Sequence, residues 1–241
     1  MKVQYFGDVN DYRKFALLRL LSNVGGFKIG VCWMLTESDG STHGARRGYL
    51  RQPEMWRAYD PVLFDALIKT PPEPTMGDLG RVEAEALIAG ATFINEFIPD
   101  SRPGRDSFHR RCIAAFADRN LMFLDPDNGL EVKLLKGRKG SSKYAFLDEL
   151  ADHYNAARSI LVYQNYPQHV SREAHVTAAG ARLRAQLPDA SIWLFETPHV
   201  VFVLAARPDH IRHVETVIAA LQQRQWLPNF FTKVRVAPFS G

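Results

Sequence analysis

The sequence predicts an α/β fold: a mainly parallel β-sheet flanked by helices on both faces, with an antiparallel hairpin near the C-terminus. Three observations predict it. Short apolar segments of strand length alternate with longer segments in which apolar residues recur about every 3.6 residues. Segment 120–124 (NLMFL) has no polar side chain in its interior, which is typical of a strand buried on both faces of a parallel sheet. Two strand-like segments near the C-terminus are separated only by residues 196–199, which predicts the hairpin.

The predicted elements follow one another along the whole chain. Strands are expected at 28–35, 91–97, 120–124, 159–163, 191–195 and 200–205. Helices are expected at 11–21, 55–69, 79–89, 108–119, 144–154, 173–187 and 208–223. Gly25 and Gly26 end the first helix, and the proline-rich segment 70–75 separates the second from the third. We expect a single domain over residues 1–241, with a helical insertion around 51–90.

Composition excludes several classes of protein. With 46% hydrophobic and 23% charged residues, the chain can bury a core and is not of the disordered class. It contains no apolar run of about 18 residues and no signal-like apolar stretch at its start, so we expect a cytoplasmic protein. Cys32 and Cys112 are too far apart for a C-x-x-C site, and both are expected to be small buried hydrophobes. The net charge of +4 is compatible with nucleic-acid binding but does not by itself indicate it.

Two loops that combine acids with amides are the candidate catalytic segments. The segment Asp125-Pro126-Asp127-Asn128-Gly129 directly follows an apolar strand, and ligands of α/β sheets bind beyond the carboxyl ends of strands. The loop Gly7-Asp8-Val9-Asn10-Asp11 has a similar composition, although one of its acids is needed only to cap the following helix, a role expected for Asp11. The alternative for the later loop is an ordinary Asn-Gly turn. The candidate catalytic residues are Asp8, Asn10, Asp125, Asp127 and Asn128.

Neither a metal nor a cofactor is predicted. Carboxylates from two loops can hold a divalent cation, but no histidine or cysteine accompanies them at ligand spacing. Segment 136–143 contains four cations, yet its order of glycine and lysine does not fit the nucleotide-binding pattern G-x-x-x-x-G-K-[ST].

Cationic and hydroxyl residues provide a candidate nucleic-acid surface. Segment 136–143 precedes a predicted helix, whose N-terminal amides together with lysines would bind phosphate; the alternative is a solvated surface loop. The candidate nucleic-acid-binding residues are Arg13, Lys14, Lys136, Arg138, Lys139, Ser141, Ser142 and Lys143.

A candidate base pocket follows the strand at 159–163. Tyrosine rings there can stack on a base, and amides can read its edge, although a structural turn around a core tyrosine is the alternative. The candidate residues are Tyr163, Gln164, Asn165, Tyr166 and His169. Segment 36–48 is a polar, glycine-rich loop that we expect to contribute to the same pocket.

Five stretches carry a resemblance to a known family: YFGDVNDYRKFALLRLL, IGVCWMLTESDG, FLDPDNGLEV, KGRKGSSKYAFLDEL and ILVYQNYP. They resemble, over nearly the whole chain, a widespread family of mostly uncharacterised bacterial proteins that includes an anti-phage DNA glycosylase acting on glucosylated hydroxymethylcytosine. The chain is also weakly similar to uracil-DNA glycosylases. In that similarity Gly7-Asp8 with Tyr12 corresponds to the water-activating loop and Asn128 to the base-reading asparagine, but the spacing within each motif departs from the pattern.

A rival resemblance is to ribosomal RNA adenine methyltransferases. Those enzymes have a polar N-terminal loop before a helix, a strand ending in Asp-Pro-Pro-Tyr and a late antiparallel hairpin. Segment 125–128 stands where the catalytic motif would fall, but its Pro-Tyr half is missing and no strand runs into an acidic Gly-x-Gly loop.

The resemblances imply a leading hypothesis and two alternatives. The first is a DNA glycosylase in anti-phage defence that removes a modified base from duplex DNA, without a cofactor, and leaves an abasic site. The second is an S-adenosylmethionine-dependent nucleic-acid methyltransferase. The third is a non-catalytic nucleic-acid-binding protein, for which both acid–amide loops would be structural.

Overall fold

The computed structural model describes residues 1–38, 40, 46–167 and 170–237. The strands are β1 Ile29–Cys32, β2 Thr92–Ile94, β3 Leu121–Leu124, β4 Ser159–Asn165, β5 Ser191–Glu196, β6 Val200–Ala206 and β7 Lys233–Val236. The helices are α1 Val9–Asn23, α2 Pro53–Trp56, α3 Pro61–Leu67, α4 Met76–Ala84, α5 Arg102–Ala115, α6 Leu147–Asn155, α7 Arg172–Gln186 and α8 Ile211–Gln223. The α/β class expected from the sequence is therefore confirmed.

The strands form one seven-stranded sheet in the order β2-β1-β3-β4-β6-β5-β7. The pairings of β1 with β2, β1 with β3 and β3 with β4 are parallel, whereas the other three are antiparallel. The C-terminal hairpin is confirmed as β5–β6, but the mainly parallel sheet is not confirmed, because half of the pairings are antiparallel. The hairpin inserts β6 between β4 and β5, and β7 adds an edge strand whose alternating charged residues (KVRV) give no apolar run in the sequence.

Alternate side chains of the central strands enter two separate buried clusters. Ile29 and Val31 of β1 belong to the cluster that includes residues of α1, α3 and α8. Cys32 of β1 and Met122 of β3 belong to the cluster that includes residues of α5, α6 and α7. This alternation follows from the two-residue repeat of a strand, which points successive side chains to opposite faces.

Helix α1 is buried along most of its length. Twelve of its fifteen residues are buried, and these include Asn10, Asp11, Arg13 and Lys14 in its first half. Charged side chains are buried in proteins only when they are paired or used in a site. The polar start of α1 therefore marks the position of the candidate site.

The strand register brings the carboxyl ends of three strands to one edge of the sheet. Cys32 of β1 is in register with Leu124 of β3, which is in register with Val162 of β4. The chain leaves β1 for the outer strand β2 and then returns to β3 on the other side of β1. Such a reversal opens a crevice beyond the carboxyl ends of the strands, where α/β proteins bind ligands.

Proline explains why the helix expected at 55–69 is divided. Pro61 lacks a backbone N–H and is the first residue of α3, and the carboxylate of Asp60 accepts a hydrogen bond from the amide of Leu63 (3.1 Å). Helices α2 and α3 thus take the place of one continuous helix.

Further expectations concern the two cysteines, membrane-spanning helices and the number of domains. Cys32 and Cys112 are both buried and free, as the sequence predicts. In the described part of the chain, no helix combines the length and the apolar character needed to cross a bilayer. The single domain with a helical insertion stays a prediction.

Candidate active site

A cleft of about 260 Å³ lies at the carboxyl edge of the sheet. Nine residues predicted from the sequence line it: Asp8, Asn10, Lys14, Asp125, Asp127, Asn128, Lys143, Tyr163 and Asn165. The fold thus brings the two acid–amide loops, which are more than 100 residues apart in the chain, to one cleft.

The loop after β3 is shaped by Gly129 and held by Gln164. Gly129 has a φ of +84°, and a Cβ at this position would lie 2.2 Å from Oε1 of Gln164. That oxygen accepts a hydrogen bond from the amide of Leu130 (2.8 Å). Gln164 is 4% exposed, so its side chain positions the loop and is not free to read a base.

Lys14 is buried between two carboxylates. Its Nζ lies 2.5 Å from Oδ1 of Asp11 and 2.5 Å from Oδ2 of Asp125. Burial acts to lower the pKa of Lys14, but the two carboxylates outweigh burial and raise this pKa above its ordinary value. Burial raises the pKa of Asp125, and Lys14 opposes that rise. Both residues are therefore internal charges of the cleft wall, and Lys14 cannot act as a surface contact for phosphate.

Asp127 has partners on both carboxylate oxygens. Its Oδ1 lies 3.0 Å from the amino nitrogen of Met1, and the hydroxyl of Thr36 donates a hydrogen bond to Oδ2. The side-chain amide of Asn165 donates to the backbone carbonyl of Asp127 (2.6 Å). Asp127 is thus fixed in place, with little capacity left to accept further hydrogen bonds.

Asp8 is the cleft carboxylate whose negative charge is least compensated by a nearby cation among the described residues. Asp8 caps α1, so the expectation that Asp11 is the cap is wrong. Its Oδ1 accepts hydrogen bonds from the amides of Asn10 and Asp11 (2.8 Å each). Its Oδ2 has only the side-chain amide of Asn10 at 3.4 Å, and within the described residues it forms no ion pair. Burial, with a further contribution from Asp11, raises the pKa of Asp8 to about 7. A carboxyl group with this pKa can take or give a proton near neutral pH.

Asn10 adds an unused acceptor beside Asp8. Its side chain is 6% exposed, and its Oδ1 is buried without a hydrogen-bond partner among the residues that the structure describes. Buried polar atoms are nearly always paired in folded proteins. An unpaired Asn10 oxygen next to Asp8 therefore indicates a place where a water molecule or a hydroxyl group binds.

Besides Lys14, four more of the predicted nucleic-acid contacts have structural roles. The Nε of Arg13 donates to the carbonyl of Phe230 (2.7 Å), and burial lowers the pKa of Arg13 to about 10. Lys136 pairs with Asp148 (2.6 Å) and is 8% exposed. Ser141 and Ser142 are buried as well. These residues do not form the phosphate-binding surface that the sequence suggests.

The buried part of segment 136–143 is held by Asp100. The carboxylate of Asp100 accepts hydrogen bonds from the amides of Gly140 (2.7 Å) and Ser142 (2.8 Å). Arg138 and Lys139 remain exposed, and Lys143 lines the cleft. Only the three cations Arg138, Lys139 and Lys143 of this segment are placed to meet a nucleic acid.

Arg46 is a site residue that the sequence analysis did not single out. It is exposed and lines the cleft, and its carbonyl accepts a hydrogen bond from the amide of Val9 (3.0 Å), which ties it to the start of α1. The sequence signal for Arg46 is that it belongs to the polar loop 36–48, of which residues 39 and 41–45 lie outside the described part of the chain.

A second cavity of about 450 Å³ adjoins the cleft. Asp127, Asn128 and Asn165 line both, and Gln164 and Tyr166 line the second. Tyr163 belongs to the first, where its ring centroid lies 5.6 Å from Nζ of Lys14. His169, also predicted for the base pocket, lies outside the described residues.

Burial and the nearby carboxylates keep Tyr163 protonated. Burial, followed by the charges of Asp8 and Asp125, raises the pKa of Tyr163 well above its ordinary value. Its phenol is therefore available as a hydrogen-bond donor and not as a base.

Within the described residues, no group of three or more His, Cys, Asp or Glu side chains is arranged to hold a metal ion. Neither a scan against protein-family models nor a search of curated proteins found a match to this chain.

Proposed function

We propose that this protein is a DNA glycosylase that hydrolyses the N-glycosidic bond of a modified base and leaves an abasic site. The observation that carries the proposal is the pair of acceptors formed by Asp8 and Asn10, both buried and only partly satisfied, in a cleft lined by further carboxylates.

The acceptor pair suits the activation of water. Oδ2 of Asp8 and Oδ1 of Asn10 can each accept a hydrogen bond from one water molecule, which leaves a lone pair of the water oxygen free to attack C1′ of a deoxyribose. The bond between C1′ and the base breaks, its electron pair leaves with the base, and the base takes a proton from the solvent. Water forms the new bond to C1′ and passes a proton to Asp8, whose pKa of about 7 is matched to that step.

The other carboxylates favour the charge that develops on the sugar. Cleavage of a glycosidic bond passes through a state that resembles an oxocarbenium ion. The carboxylates of Asp11, Asp125 and Asp127 pair with two cations, Lys14 and the amino group of Met1, so these five groups together carry one formal negative charge. A fixed negative charge in a partly desolvated cleft stabilises a nearby developing cation.

The distribution of cations supports DNA as the partner. Arg46 and Lys143 line the cleft, and Arg138 and Lys139 are exposed on the segment that leads to Lys143. Such residues hold the phosphates of a nucleic acid while one nucleotide is rotated out of the stack. The resemblance to the bacterial family that includes an anti-phage DNA glycosylase implies glucosylated hydroxymethylcytosine in phage DNA as the substrate. We therefore propose a cytoplasmic role in defence against phages.

Mass spectrometry of the released base tests the proposal. The wild-type protein would be incubated, without a cofactor, with duplexes that carry cytosine, hydroxymethylcytosine or glucosylated hydroxymethylcytosine. We expect release of a modified base and abasic sites with the wild type, but none with Asp8→Asn. Release that is equal for both proteins, or absent from all substrates, would overturn the proposal.

One structural observation favours methyl transfer as the second candidate. Strand β6 of the late hairpin pairs antiparallel with β4, and Asp125 follows the neighbouring strand β3, in keeping with the resemblance to ribosomal RNA adenine methyltransferases. Against this candidate, Met1 lies beyond the carboxyl end of β1, the place where an α/β sheet binds a ligand. Its amino group donates there to the carbonyl of Met34 (2.9 Å). A thermal shift with S-adenosylmethionine, followed by methyl transfer to RNA, would favour this candidate.

A further inference from the structure

The segment between Leu130 and Ala145 forms a loop whose two ends lie at the cleft. Leu130 and Ala145 pair in an isolated β-bridge. The amide of Asn128 donates to the carbonyl of Lys143 (2.9 Å), and both of these residues line the cleft. Since loop 131–144 leaves and rejoins the fold beside the cleft, a long ligand that reaches into the cleft also comes close to this loop.

Buried polar contacts hold both ends of loop 131–144 in place. The amide of Glu131 donates to the carbonyl of Ala145 (2.8 Å). The buried guanidinium of Arg105 donates to the carbonyls of Ser141 (3.0 Å) and Tyr144 (2.9 Å). A loop that is already ordered binds a partner at a lower cost in conformational entropy than one that must first become ordered.

The middle of loop 131–144 exposes apolar side chains between cations. Leu135 is 70% exposed, more than any other large apolar side chain in the described part of the chain, and Val132 is exposed as well. Exposed cations lie on both sides of Leu135 in the sequence: Lys133, Arg138 and Lys139. A single exposed apolar residue is ordinary, but this combination fits a partner with an apolar interior and an anionic exterior. A DNA duplex, whose stacked bases lie between two phosphate backbones, is such a partner.

The burial of Asp8 requires the target nucleotide to leave the duplex. Asp8 is buried in a cleft of about 260 Å³, which a base inside the stack cannot reach. Rotation of the nucleotide into the cleft leaves a gap and breaks its stacking with both neighbours. Apolar side chains that enter such a gap compensate part of the lost stacking.

We propose that Leu135 inserts into the base stack of a DNA duplex at the position that the target nucleotide vacates. The cations beside it, Lys133, Arg138 and Lys139, each add a weaker contact to phosphate. The inference rests on the proposed function, because the gap arises only when a nucleotide is rotated into the cleft. Leu135 is thus a positioning residue, which holds the opened duplex and does not touch the reacting atoms.

Equilibrium binding to three DNA probes tests the insertion. The first is a duplex with a central tetrahydrofuran residue, which lacks a base and so leaves a gap in the stack. The others are the intact duplex of the same sequence and the single strand that contains the tetrahydrofuran. We expect the wild type to bind the abasic duplex more tightly than the intact one, because no base need be unstacked.

Leu135→Ala should weaken binding of the abasic duplex by roughly tenfold, since alanine is too short to fill the gap. It should leave the affinity for the single strand unchanged, because that probe has no stacked gap to fill. Leu135→Met, which keeps a long apolar side chain, should retain the wild-type affinity for the abasic duplex. An equal loss for the duplex and the single strand in Leu135→Ala would overturn the insertion, and so would no loss for either.

Val62→Ala serves as the matched control, because it shortens another exposed apolar side chain, on α3. Asp60, just before α3, pairs with Arg19 in the second half of α1 (2.6 Å), whereas the cleft lies at the start of α1. This variant should bind all three probes as the wild type does. Sedimentation velocity tests whether Leu135 instead contacts a second copy of the chain. A dimer that Leu135→Ala dissociates, with unchanged DNA affinity, would overturn the insertion.

The binding experiment is independent of catalysis, because the tetrahydrofuran residue has no base to release. A loss of abasic-duplex affinity in Leu135→Ala, with no base release from any duplex by the wild type, would retain the insertion and reject the proposed function. Base release that depends on Asp8, with unchanged abasic-duplex affinity in Leu135→Ala, would retain the function and reject the insertion.

Discussion

The two acid–amide loops have nearly the same composition but different charge environments. In the loop after β3, Asp125 pairs with Lys14 at 2.5 Å, and Asp127 contacts both the amino group of Met1 and the hydroxyl of Thr36. In the loop before α1, Asp8 has no cation within ion-pair distance among the described residues, and its pKa is raised to about 7. The loops therefore share one cleft, but only Asp8 keeps reactive capacity.

Residue type therefore does not distinguish a carboxylate that can exchange a proton near neutral pH from one that is fixed by cationic partners. Asp125 and Asp127 are fixed in place by cationic partners, and Lys14 opposes the rise that burial causes in the pKa of Asp125. Asp8 is buried without an ion-pair partner among the described residues, and its pKa of about 7 lets it exchange a proton near neutral pH. The destabilisation that Asp8 causes is in keeping with a functional role, because sites commonly retain groups that cost stability.

The largest expected effect is the loss of activity in Asp8→Asn. Removal of a general base lowers turnover by about 10²–10⁴-fold, and we expect a loss in base release at the upper end of that range. Asp127→Asn should cost only about tenfold, because that carboxylate acts through its position and not through proton transfer. Single-turnover release from modified duplex DNA measures both. A larger loss in Asp127→Asn would reverse the comparison between the loops.

The free energy of unfolding of Asp8→Asn shows whether that loss of activity comes from a loss of folding. The folded-state pKa of Asp8 is about 7 and its ordinary value is 3.8, so the folded form disfavours the charge. Its ionisation therefore destabilises the fold progressively as pH rises from about 4 to about 7, and the loss is complete above that window. Asparagine also caps helices, and it carries no charge that burial would penalise. The variant should therefore become more stable than the wild type as pH rises. Urea unfolding at pH 5 and pH 8 measures the difference.

The next effect in size is on the fold and concerns Lys14. Lys14→Met would leave Asp11 and Asp125 buried without their shared cation. Breaking a buried ion pair by removing one partner costs about 3–5 kcal/mol in the free energy of unfolding. Lys139→Met, at an exposed position, is the matched control and should change stability by less than about 0.5 kcal/mol. Similar unfolding midpoints for the two variants would mean that the ion pairs of Lys14 with Asp11 and Asp125 do not stabilise the fold.

Much of the fold could be predicted because strand burial leaves a clear pattern in the sequence. The apolar segments at β1, β3 and β4 and the hairpin β5–β6 were identified from apolar runs. Strand β7 was missed because its residues alternate between charged and apolar at an exposed edge. The insertion of β6 beside β4 depends on long-range pairing, which local patterns do not encode.

The sequence predicts which backbone segments form the site, but it does not predict which charged side chains are buried in ion pairs. The rule for strand carboxyl ends located Asp125, Asp127 and Asn165. It could not indicate that Lys14 and Lys136 are buried in ion pairs, because the sequence shows the cations without their partners. The carbonyl of Arg46 accepts a hydrogen bond from the amide of Val9, a contact between distant segments that local sequence patterns do not show.

A smaller effect is expected on the pH dependence of activity. In the proposed mechanism ionised Asp8 is the active form, so kcat/KM should fall as pH drops below about 7. Asp11 is the main charge that raises the pKa of Asp8, after burial. Asp11→Asn should therefore move the acid limb of the profile to lower pH, by about one unit. Asp127→Asn should leave the limb near its wild-type position, and a shift of equal size in both variants would contradict the role of Asp11.

The smallest expected effect concerns DNA affinity and compares two sets of cations. Arg46 and Lys143 line the cleft, whereas Arg138 and Lys139 are exposed on the segment before it. Each phosphate contact contributes about 0.9 to the slope of log affinity against log salt concentration. Neutralising Arg46 and Lys143 to glutamine should reduce that slope by roughly 1–2, whereas the same change at Arg138 and Lys139 should reduce it by about 1 or less. Fluorescence anisotropy between 50 and 200 mM salt, roughly the range over which phosphate contacts are most visible, measures both slopes. A larger reduction at Arg138 and Lys139 would place the phosphate contacts on the loop that the sequence suggested and not on the rim of the cleft.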